Sequence, residues 1–339
     1  MAFSGISKHK WIAAALWCAA PVLLASTPAL ARPGTSLQTQ RDLAIEQQVA
    51  AIVAQGRGRI GVAAVDLDDG GQVMINGDMP FPMASTAKVA IAATYLSGVE
   101  QGRLRLDQAF PIMVPVAESG DSRGSVATVR AGEVMTAQSL MELSITRSDN
   151  QATDGLIAAV GGIHSVNTWL SRIGISAQRL DHTMATLVRD DGRINPATTI
   201  DTRTSSTPRA MAGLLAAIDR GGALSPESRA VLLDTMTRTS TGRNRIRSGL
   251  PEGVVFAHKT GTLAGVTDDV GIVRLPDGRH LAIAIFVTGP EGHTAHAGLI
   301  AQIARVLYDG YSQPLPGSGT ALAGATMADT MAGIETARR

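Results

Sequence analysis

Cysteine is almost missing from this chain of 339 residues, which contains Cys18 and no other cysteine. A single cysteine cannot form a disulfide within the chain, and beyond residue 18 no thiolate is available as a nucleophile or metal ligand. The seven histidines are scattered, and neither a His-x-x-x-His nor a Cys-x-x-Cys spacing occurs. We therefore expect no metal site and no cofactor.

Aromatic residues and an excess of either charge are also scarce. The chain has five Phe, three Tyr and three Trp, and its 30 basic and 29 acidic residues leave a formal net charge of +1. Nucleic-acid binding usually needs a basic surface or an aromatic stacking platform, and this composition supplies neither. The 45% share of hydrophobic residues is enough for a sizeable core. We expect a globular monomer whose partner is a small-molecule substrate.

The apolar run near the N-terminus is short for a membrane span. It extends from Trp11 to Ala25, follows the basic segment Lys8–Lys10, and precedes a small-residue pattern that ends at Ala31. A basic region, a short apolar region and small residues in this order are typical of a secretory signal peptide. We predict a signal over residues 1–31 that is cleaved near Ala31, and export to the periplasm or the extracellular space without a stable membrane anchor.

Hydrophobic periodicity and turn residues predict the elements that follow. Helices are predicted at Leu37–Gln55, from Ser85 to about Gly98 or Gly102, and at Thr136–Thr146, Asn150–Val160, Ile163–Ile173, Pro208–Ile218, Ser225–Thr237 and His296–Tyr308. Strands are predicted at Arg59–Leu67, Gln72–Ile75, Val254–Lys259, Asp269–Arg274 and Leu281–Thr288. Leu104–Val134 is expected to be irregular, and Ser176–Ser206 is a long connection of the kind that is usually functional or mobile.

This order of elements predicts the fold class. Strands lie near both ends of the chain and most helices lie between them, which indicates an α/β (α+β) protein. Its antiparallel sheet is built from both chain ends and flanked by helices, with an all-helical insert. We expect one catalytic domain over residues 32–311, with an α/β part at about 37–95 and 238–311 and a helical part at about 96–237. The Pro-, Gly- and Ala-rich residues 312–339 are expected to be a disordered tail.

The first candidate for chemistry is the sequence Ser85-Thr86-Ala87-Lys88 at the start of an apolar helix. Residues three apart lie on one face of a helix, so the Lys88 amine can approach the Ser85 hydroxyl. A base within hydrogen-bonding reach is what a serine needs to become a nucleophile. By composition alone, however, a Ser-x-x-Lys is expected about once in a chain of this length.

Two further tripeptides strengthen this interpretation. Ser148-Asp149-Asn150 falls between two predicted helices, and Lys259-Thr260-Gly261 falls at the end of a predicted edge strand. Ser-x-x-Lys, Ser-Asp-Asn and Lys-Thr-Gly in this order are the motif set of class A β-lactamases and penicillin-binding proteins. The chain therefore resembles a class A β-lactamase-type serine hydrolase, over about Leu37 to Tyr311. Two further stretches resemble that family, Ser206–Met211 and Thr241–Pro251.

The resemblance implies a serine β-lactamase-like fold and a role for each motif residue. Ser85 would attack an amide or lactam carbonyl, and the backbone amides of Ser85 and Thr262 would stabilise the negative oxygen. Ser148 would pass the proton to the leaving nitrogen. Asn150 would hold Lys88 and the amide of the substrate side chain.

The third motif is implied to bind substrate. Lys259 and Thr260 would contact the substrate carboxylate, and Gly261 completes this substrate-binding tripeptide. The positive charge of Lys259 is also expected to lower the pKa of Lys88, which would help Lys88 act as a base.

One residue of the family pattern is missing. Class A enzymes hydrolyse the acyl-serine with a water that is activated by a glutamate shortly after a Leu-Asp pair. Here the pair is Leu180-Asp181, the family spacing places Met184 at the glutamate position, and no glutamate occurs between Leu180 and Pro208. A thioether cannot take a proton from water. Asp190 or Asp191 is the remaining candidate for the deacylation carboxylate.

A second departure is His258, which stands before Lys259 where the family usually has an aspartate. Three functions stay open at this stage. The first is a β-lactamase with an atypical deacylation step, and the second is a penicillin-binding or DD-peptidase-like enzyme that acylates without efficient turnover. The third is a non-catalytic binder of cell-wall fragments. The presence of both Ser85 and Lys88 favours the first function over the third.

Overall fold

The computed structural model describes residues 36–117 and 125–313 of the chain. The predicted signal peptide with Cys18 lies outside this range, as do residues 118–124 and the predicted tail beyond Gln313. Within the described range, no helix is both long enough and apolar enough to cross a membrane.

The described residues form ten strands and ten helices. The strands are β1 (Arg59–Asp66), β2 (Gln72–Ile75), β3 (Phe81–Pro82), β4 (Ala109–Pro115), β5 (Val129–Thr136), β6 (Gln178–Arg179), β7 (Ser205–Ser206), β8 (Phe256–Leu263), β9 (Val266–Arg274) and β10 (His280–Thr288). The helices are α1 (Leu37–Val53), α2 (Lys88–Glu100), α3 (Ala137–Thr146), α4 (Asn150–Ala159), α5 (Ile163–Arg172), α6 (Met184–Arg189), α7 (Pro208–Asp219), α8 (Pro226–Thr237), α9 (Ile246–Gly249) and α10 (His293–Ser312).

The main sheet has five antiparallel strands in the order β2-β1-β10-β9-β8. Its central strand β10 is an almost continuous apolar run because both faces of the sheet are covered. Successive side chains of a strand point to opposite faces, so one face of β10 contributes Ile283 and Ile285 to one core. The other face contributes Ala284 and Phe286 to a second core. Helices α1 and α10 cover the first face, and α7 and α8 contact the second.

Helix α2 is the centre of the second core. Its residues are buried from Lys88 to Gly98, as expected for a helix that is apolar around most of its circumference. A short 3-10 turn, Ala84–Ala87, precedes it and carries Ser85. The buried helix therefore places Ser85 and Lys88 at its N-terminal end, against β8 and β9.

The structure confirms the predicted fold class. The sheet joins β1 and β2 from the N-terminal part of the chain with β8, β9 and β10 from the C-terminal part, and most helices lie between them. The predicted all-helical insert is wrong in one respect, because the short strands β4, β5, β6 and β7 also lie in it. Similar solved structures, described below, have the same mixed fold. Most predicted helices agree with observed ones to within a few residues, although α10 begins three residues earlier and ends four residues later than predicted.

The described parts of Leu104–Val134 are not irregular, and for them the prediction was wrong. They contain β4, which pairs with β5 in a two-stranded sheet. Pro111 and Pro115 argued against a strand because proline has no N–H to donate. Here β4 has a single partner strand, and the register shifts between Pro111 and Met113, so a strand with two prolines is tolerated.

Two further boundaries differ from the prediction. The strand predicted to end at Lys259 continues to Leu263, so the Lys-Thr-Gly motif lies inside β8 rather than at its end. The long connection Ser176–Ser206 contains α6, which Thr183 caps by accepting a hydrogen bond from the Thr186 backbone N–H. A helix of six residues is too short to show a hydrophobic period.

Gly261 allows β8 to lie directly against the turn that carries Ser85. A Cβ atom at this position would be 2.7 Å from the carbonyl oxygen of Met83 and 3.1 Å from the Cβ of Ala84. Ala84 itself has a φ of 45°, in the left-handed region that L-residues rarely adopt. Neither the Met83 carbonyl nor the Ala84 Cβ, which is fixed to the backbone, can move away without displacing the turn.

We therefore predict that Gly261→Ala destabilises the protein by about 1–3 kcal/mol, the usual cost of overpacking. Urea unfolding followed by circular dichroism measures the loss. Gly298→Ala is the matched control because a Cβ on this residue of α10 meets nothing within 4 Å. The control should leave stability unchanged or raise it by up to ~1 kcal/mol. Equal stability of the two variants would contradict the close approach.

Candidate active site

Ser85 lies in the 3-10 turn rather than at the first position of an α-helix. The hydroxyl and the N–H of Thr86 both donate to the Met83 carbonyl, which fixes the turn. The N–H of Lys88 donates to the carbonyl of Ser85 and begins α2. Side chains three apart are eclipsed in a 3-10 turn, so this geometry is compatible with the predicted approach of the Lys88 amine to the Ser85 hydroxyl, which stays a prediction.

The Lys88 amine makes three contacts with the Ser-Asp-Asn motif. It lies 2.6 Å from the Ser148 carbonyl oxygen, 2.6 Å from Asn150 Oδ1 and 3.2 Å from Ser148 Oγ. A neutral amine has two protons and one lone pair. It can donate to the two close oxygens and still accept a proton from a hydroxyl.

The junction between α3 and α4 directs Ser148 and Asn150 towards Lys88. Ser148 has a φ of 58°, a left-handed conformation that turns the chain sharply between the two helices. The next residue, Asp149, caps α4 by accepting a hydrogen bond of 2.7 Å from the Ala152 N–H. Asn150 is the first residue of α4. The motif therefore combines one strained residue with a helix cap.

Lys259 brings the third motif to the same hydroxyl. Its amine lies 3.0 Å from Ser148 Oγ and 2.8 Å from the carbonyl oxygen of Thr260. The Ser148 hydroxyl is therefore within hydrogen-bonding distance of two lysine amines, Lys88 and Lys259. Three motifs that are up to 174 positions apart in the numbering, Ser85 to Lys259, meet at one site.

Burial lowers the pKa of both lysines. Desolvation lowers the pKa of Lys88 to about 7, although the carboxylates of Asp149 and Asp154 act in the opposite direction. Lys259 is fully buried, and desolvation followed by the nearby charge of Lys88 lowers its pKa well below the usual value. From the sequence, the charge of Lys259 is the expected cause of a lowered pKa at Lys88. The structure gives burial as the main cause, because α2 is enclosed by the core.

Residues outside the three motifs organise the far end of β8. Arg245, which is almost fully buried, donates to the carbonyl of Gly261 at 2.8 Å, to that of Asp268 at 2.7 Å and to the Thr262 hydroxyl at 2.6 Å. The Thr260 and Thr241 hydroxyls are 2.6 Å apart. Arg245 lies in the stretch that resembles the family, but a single arginine among several carries no signal that distinguishes it in the sequence.

Asp154 is a second residue that the sequence did not single out. Its two carboxylate oxygens accept hydrogen bonds from the backbone N–H groups of Met184 at 2.7 Å and Ala185 at 2.8 Å. Burial raises the pKa of Asp154 to about 6. The residue lies four positions after Asn150, so it is on the same side of α4 and one turn further along. Its spacing in Asn150-x-x-x-Asp154 is a signal that could have been used.

The structure buries Met184 at the position where the family spacing expects a glutamate. Its side chain is 1% exposed and belongs to the core around α2. The carboxylate contacts of Asp154 hold its backbone at the start of α6. The Met184 side chain therefore packs in the apolar core, while the Asp154 carboxylate lies beside its backbone.

Asp190 and Asp191 lie in a different place from the three motifs. Asp190 pairs with Arg189 at 2.9 Å and with Arg193 at 3.3 Å, and Asp191 accepts a hydrogen bond of 2.8 Å from the Ala264 N–H. Both carboxylates line a cavity of about 270 Å³ between residues 182–204 and the β8–β9 turn. None of the residues of the three motifs lines this cavity.

His258 is buried on β8, and its Nδ1 lies 2.9 Å from Oδ1 of Asp269 on the neighbouring strand. Its ring also stacks on Phe256. A histidine is therefore accommodated at this position by a carboxylate partner. Among residues 36–117 and 125–313, no group of three or more His, Asp or Glu side chains is arranged to hold a metal ion.

Comparison with known proteins agrees with this geometry. The family model of the β-lactamase enzyme family matches residues 44–311. The β-lactamase CTX-M-8 of Citrobacter amalonaticus is 33% identical over 272 residues, which cover 79% of this chain and 89% of that protein.

Two solved structures are similar over most of the chain. A class A β-lactamase reconstructed as the last common ancestor of Gram-negative bacteria has 32% identity and a TM-score of 0.68, covering 79% of this chain and 99% of that one. A mutant of PBP-A, solved as an acyl-enzyme complex with penicillin G, has 29% identity and a TM-score of 0.67, covering 79% and 96%. This chain belongs to the β-lactamase enzyme family and is a class A-type serine hydrolase of β-lactam amide bonds.

Proposed function

We propose that the protein opens β-lactam rings through an acyl-enzyme on Ser85, and that the release of the acyl group is atypical. The observation that carries this proposal is the position of the Ser148 hydroxyl within 3.2 Å of the Lys88 amine and 3.0 Å of the Lys259 amine. This arrangement supplies a base and a proton relay beside the serine of a Ser-x-x-Lys motif.

In the acylation step, Lys88 is the base. Its neutral amine takes the proton from the Ser85 hydroxyl as the serine oxygen forms a bond to the lactam carbonyl carbon. The C–N bond of the ring then breaks, and the nitrogen receives a proton from the Ser148 hydroxyl. Ser148 regains a proton from Lys88, so the amine returns to its neutral form and the proton is conserved.

The oxyanion is assigned to the backbone N–H groups of Ser85 and Thr262. Thr262 belongs to β8, the edge strand of the sheet, on which alternate N–H groups point away from β9. Donors that are fixed before the reaction stabilise the developing charge without reorganisation, and the loss of one typically costs about 10²–10³ in rate.

Substrate binding is assigned to the other motif residues. Lys259 and Thr260 would contact the substrate carboxylate, and Arg245 would hold this end of β8 through its bonds to Gly261 and the Thr262 hydroxyl. Asn150 would bind the amide of the substrate side chain. The buried guanidinium adds positive charge near the carboxylate.

Deacylation lacks the usual carboxylate base. Met184 has no group that accepts a proton, and both oxygens of Asp154 already accept backbone N–H bonds. Asp190 and Asp191 are engaged by Arg189, Arg193 and Ala264. We therefore assign the activation of water to the neutral Lys88 amine, and we expect this step to limit turnover.

A penicillin-binding function is the second candidate, because Met184 has no group that can accept a proton from water. In that case the protein would acylate and remain acylated. The similarity to PBP-A, which was solved as an acyl-enzyme complex with penicillin G, is consistent with this alternative. Export after cleavage near Ala31, a monomeric state and the domain limits 32–311 remain predictions from the sequence.

Rapid mixing with a chromogenic β-lactam tests the acyl-enzyme. We expect a burst of about one equivalent, followed by slower turnover, and mass spectrometry should place the adduct on Ser85. Ser85→Ala should abolish both signals, whereas Ser171→Ala, at an exposed serine of α5, should change neither. An adduct that persists on Ser85→Ala would exclude the assigned nucleophile. A burst without later turnover would favour the penicillin-binding alternative.

The pH dependence of the burst rate tests the role of Lys88. Below its pKa the amine is protonated and cannot accept the Ser85 proton, so the acylation rate should rise with pH around pH 7. Asp154→Asn removes a charge that raises the pKa of Lys88, and should therefore move this rising limb of the pH–rate profile to lower pH. Lys88→Ala should remove the limb together with most of the rate. A limb near pH 10 would contradict the assignment.

Substitution of Met184 tests the deacylation step. Met184→Glu should raise the deacylation rate about tenfold or more without changing the burst, since a positioned general base typically contributes 10²–10⁴. Met184→Gln is the matched control, because it has the same shape as glutamate but cannot take a proton. Single-turnover decay of the acyl-enzyme measures the rate. Equal decay of the two variants would show that Met184 does not occupy the position of the base.

A further inference from the structure

A second cavity, lined by none of the residues of the three motifs, lies between α2 and α5. Its volume is about 230 Å³, and it is lined by residues of α2, of the segment after α2 and of α5. Two lining residues are basic, Arg103 and Arg172, and no aspartate or glutamate is among the lining residues. The charge of this lining is therefore positive.

The Gln101 side chain links Arg103 to Ser97 along one wall of the cavity. The Nε and Nη2 atoms of Arg103 donate to Gln101 Oε1 at 3.0 and 2.7 Å, and Gln101 Nε2 donates to Ser97 Oγ at 3.0 Å. The guanidinium is thus held in place by the amide. The Ser97 hydroxyl receives a proton from Gln101, and its own proton has no acceptor within the described part of the chain.

Two further donors line the same cavity. Arg172 ends α5 and forms no ion pair with any acidic residue of the described ranges. The Ser165 hydroxyl likewise has no hydrogen-bond acceptor there. The cavity therefore presents two guanidinium groups and two hydroxyl protons, with no carboxylate to receive them. An oxyanion supplies the missing acceptors. Arg172 can bind such a group in a bidentate manner, whereas the Nε/Nη2 edge of Arg103 already donates to Gln101 and only its remaining N–H groups are available.

The remaining wall of the cavity is apolar. It includes Leu104, Val160 and the largely buried Trp169. The volume is several times the ~30 Å³ that a water molecule occupies in the liquid, so a bare oxyanion would not fill it. A ligand for this cavity should combine a charged head with a compact apolar or cyclic body.

We propose that this cavity binds a small compound with a dianionic phosphoryl or sulfuryl group. The two arginines and the hydroxyls of Ser97 and Ser165 contact the oxyanion, and the body of the ligand packs against Trp169 and Leu104. A dianion is favoured over a monocarboxylate because more than one cation faces the cavity. The site shares no residue with the active site and does not depend on the proposed function.

Calorimetric titration of the full chain at constant ionic strength tests the proposal. Inorganic phosphate and inorganic sulfate should bind saturably at one site, acetate should bind at least tenfold more weakly, and phenyl phosphate should bind more tightly than phosphate. Arg172→Ala should weaken phosphate binding about tenfold. Arg172→Lys keeps the charge at the end of α5 but loses the planar fork, and should give an intermediate affinity.

Arg130→Ala is the matched control, since it removes one positive charge at an exposed position on β5. It should leave phosphate binding unchanged, and Ser97→Ala should weaken it. Equal weakening of phosphate binding by Arg130→Ala and Arg172→Ala would show that phosphate is held only by non-specific attraction, and would overturn the proposal. The absence of saturable binding of phosphate, sulfate and phenyl phosphate would overturn it as well.

Discussion

The hydroxyl of Ser148 lies between two buried lysine amines, and most of the surrounding structure is needed to keep it there. Removing an ammonium group from water costs several kcal/mol, so two such groups can be close together only if at least one is readily neutral. A pKa of about 7 for Lys88 satisfies this condition. The same burial that would be unfavourable for a charged lysine therefore produces the free amine that the chemistry requires.

Three elements position the Ser148 hydroxyl between the two lysines, and each of them is locally unfavourable in energy. Helix α2 is buried almost completely, Ser148 adopts a left-handed backbone conformation, and β8 approaches the turn before Ser85 so closely that only a glycine fits at position 261. Such costs are tolerated where the surrounding structure determines them, which is typical of functional sites. The core on both faces of the sheet provides this rigidity.

The two halves of the proposed reaction differ in how well the structure supports them. On the acylating side, Lys88, Ser148, Asn150 and Lys259 are hydrogen-bonded to one another, and Ser85 lies in the turn directly before Lys88. On the deacylating side, Asp154 holds the start of α6 by accepting a hydrogen bond from the Met184 N–H, and the apolar side chain of Met184 is buried. Asp154 thus keeps the loop in place without offering a free carboxylate oxygen. Slow release of the acyl group is the consequence that we draw for both candidate functions.

The sequence by itself determined the family motifs, the absence of a glutamate after Leu180, and most helices and strands, because these depend on residue type, order and local periodicity. It failed at β4, where prolines hid a strand, and at α6, which is too short to show a period. Only the tertiary structure decided that burial is the main cause of the lowered pKa of Lys88. It also decided that Arg245 and Asp154 support the site and that Asp190 and Asp191 line another cavity. Burial and contacts between distant segments are properties of the packed chain, and no local pattern encodes them.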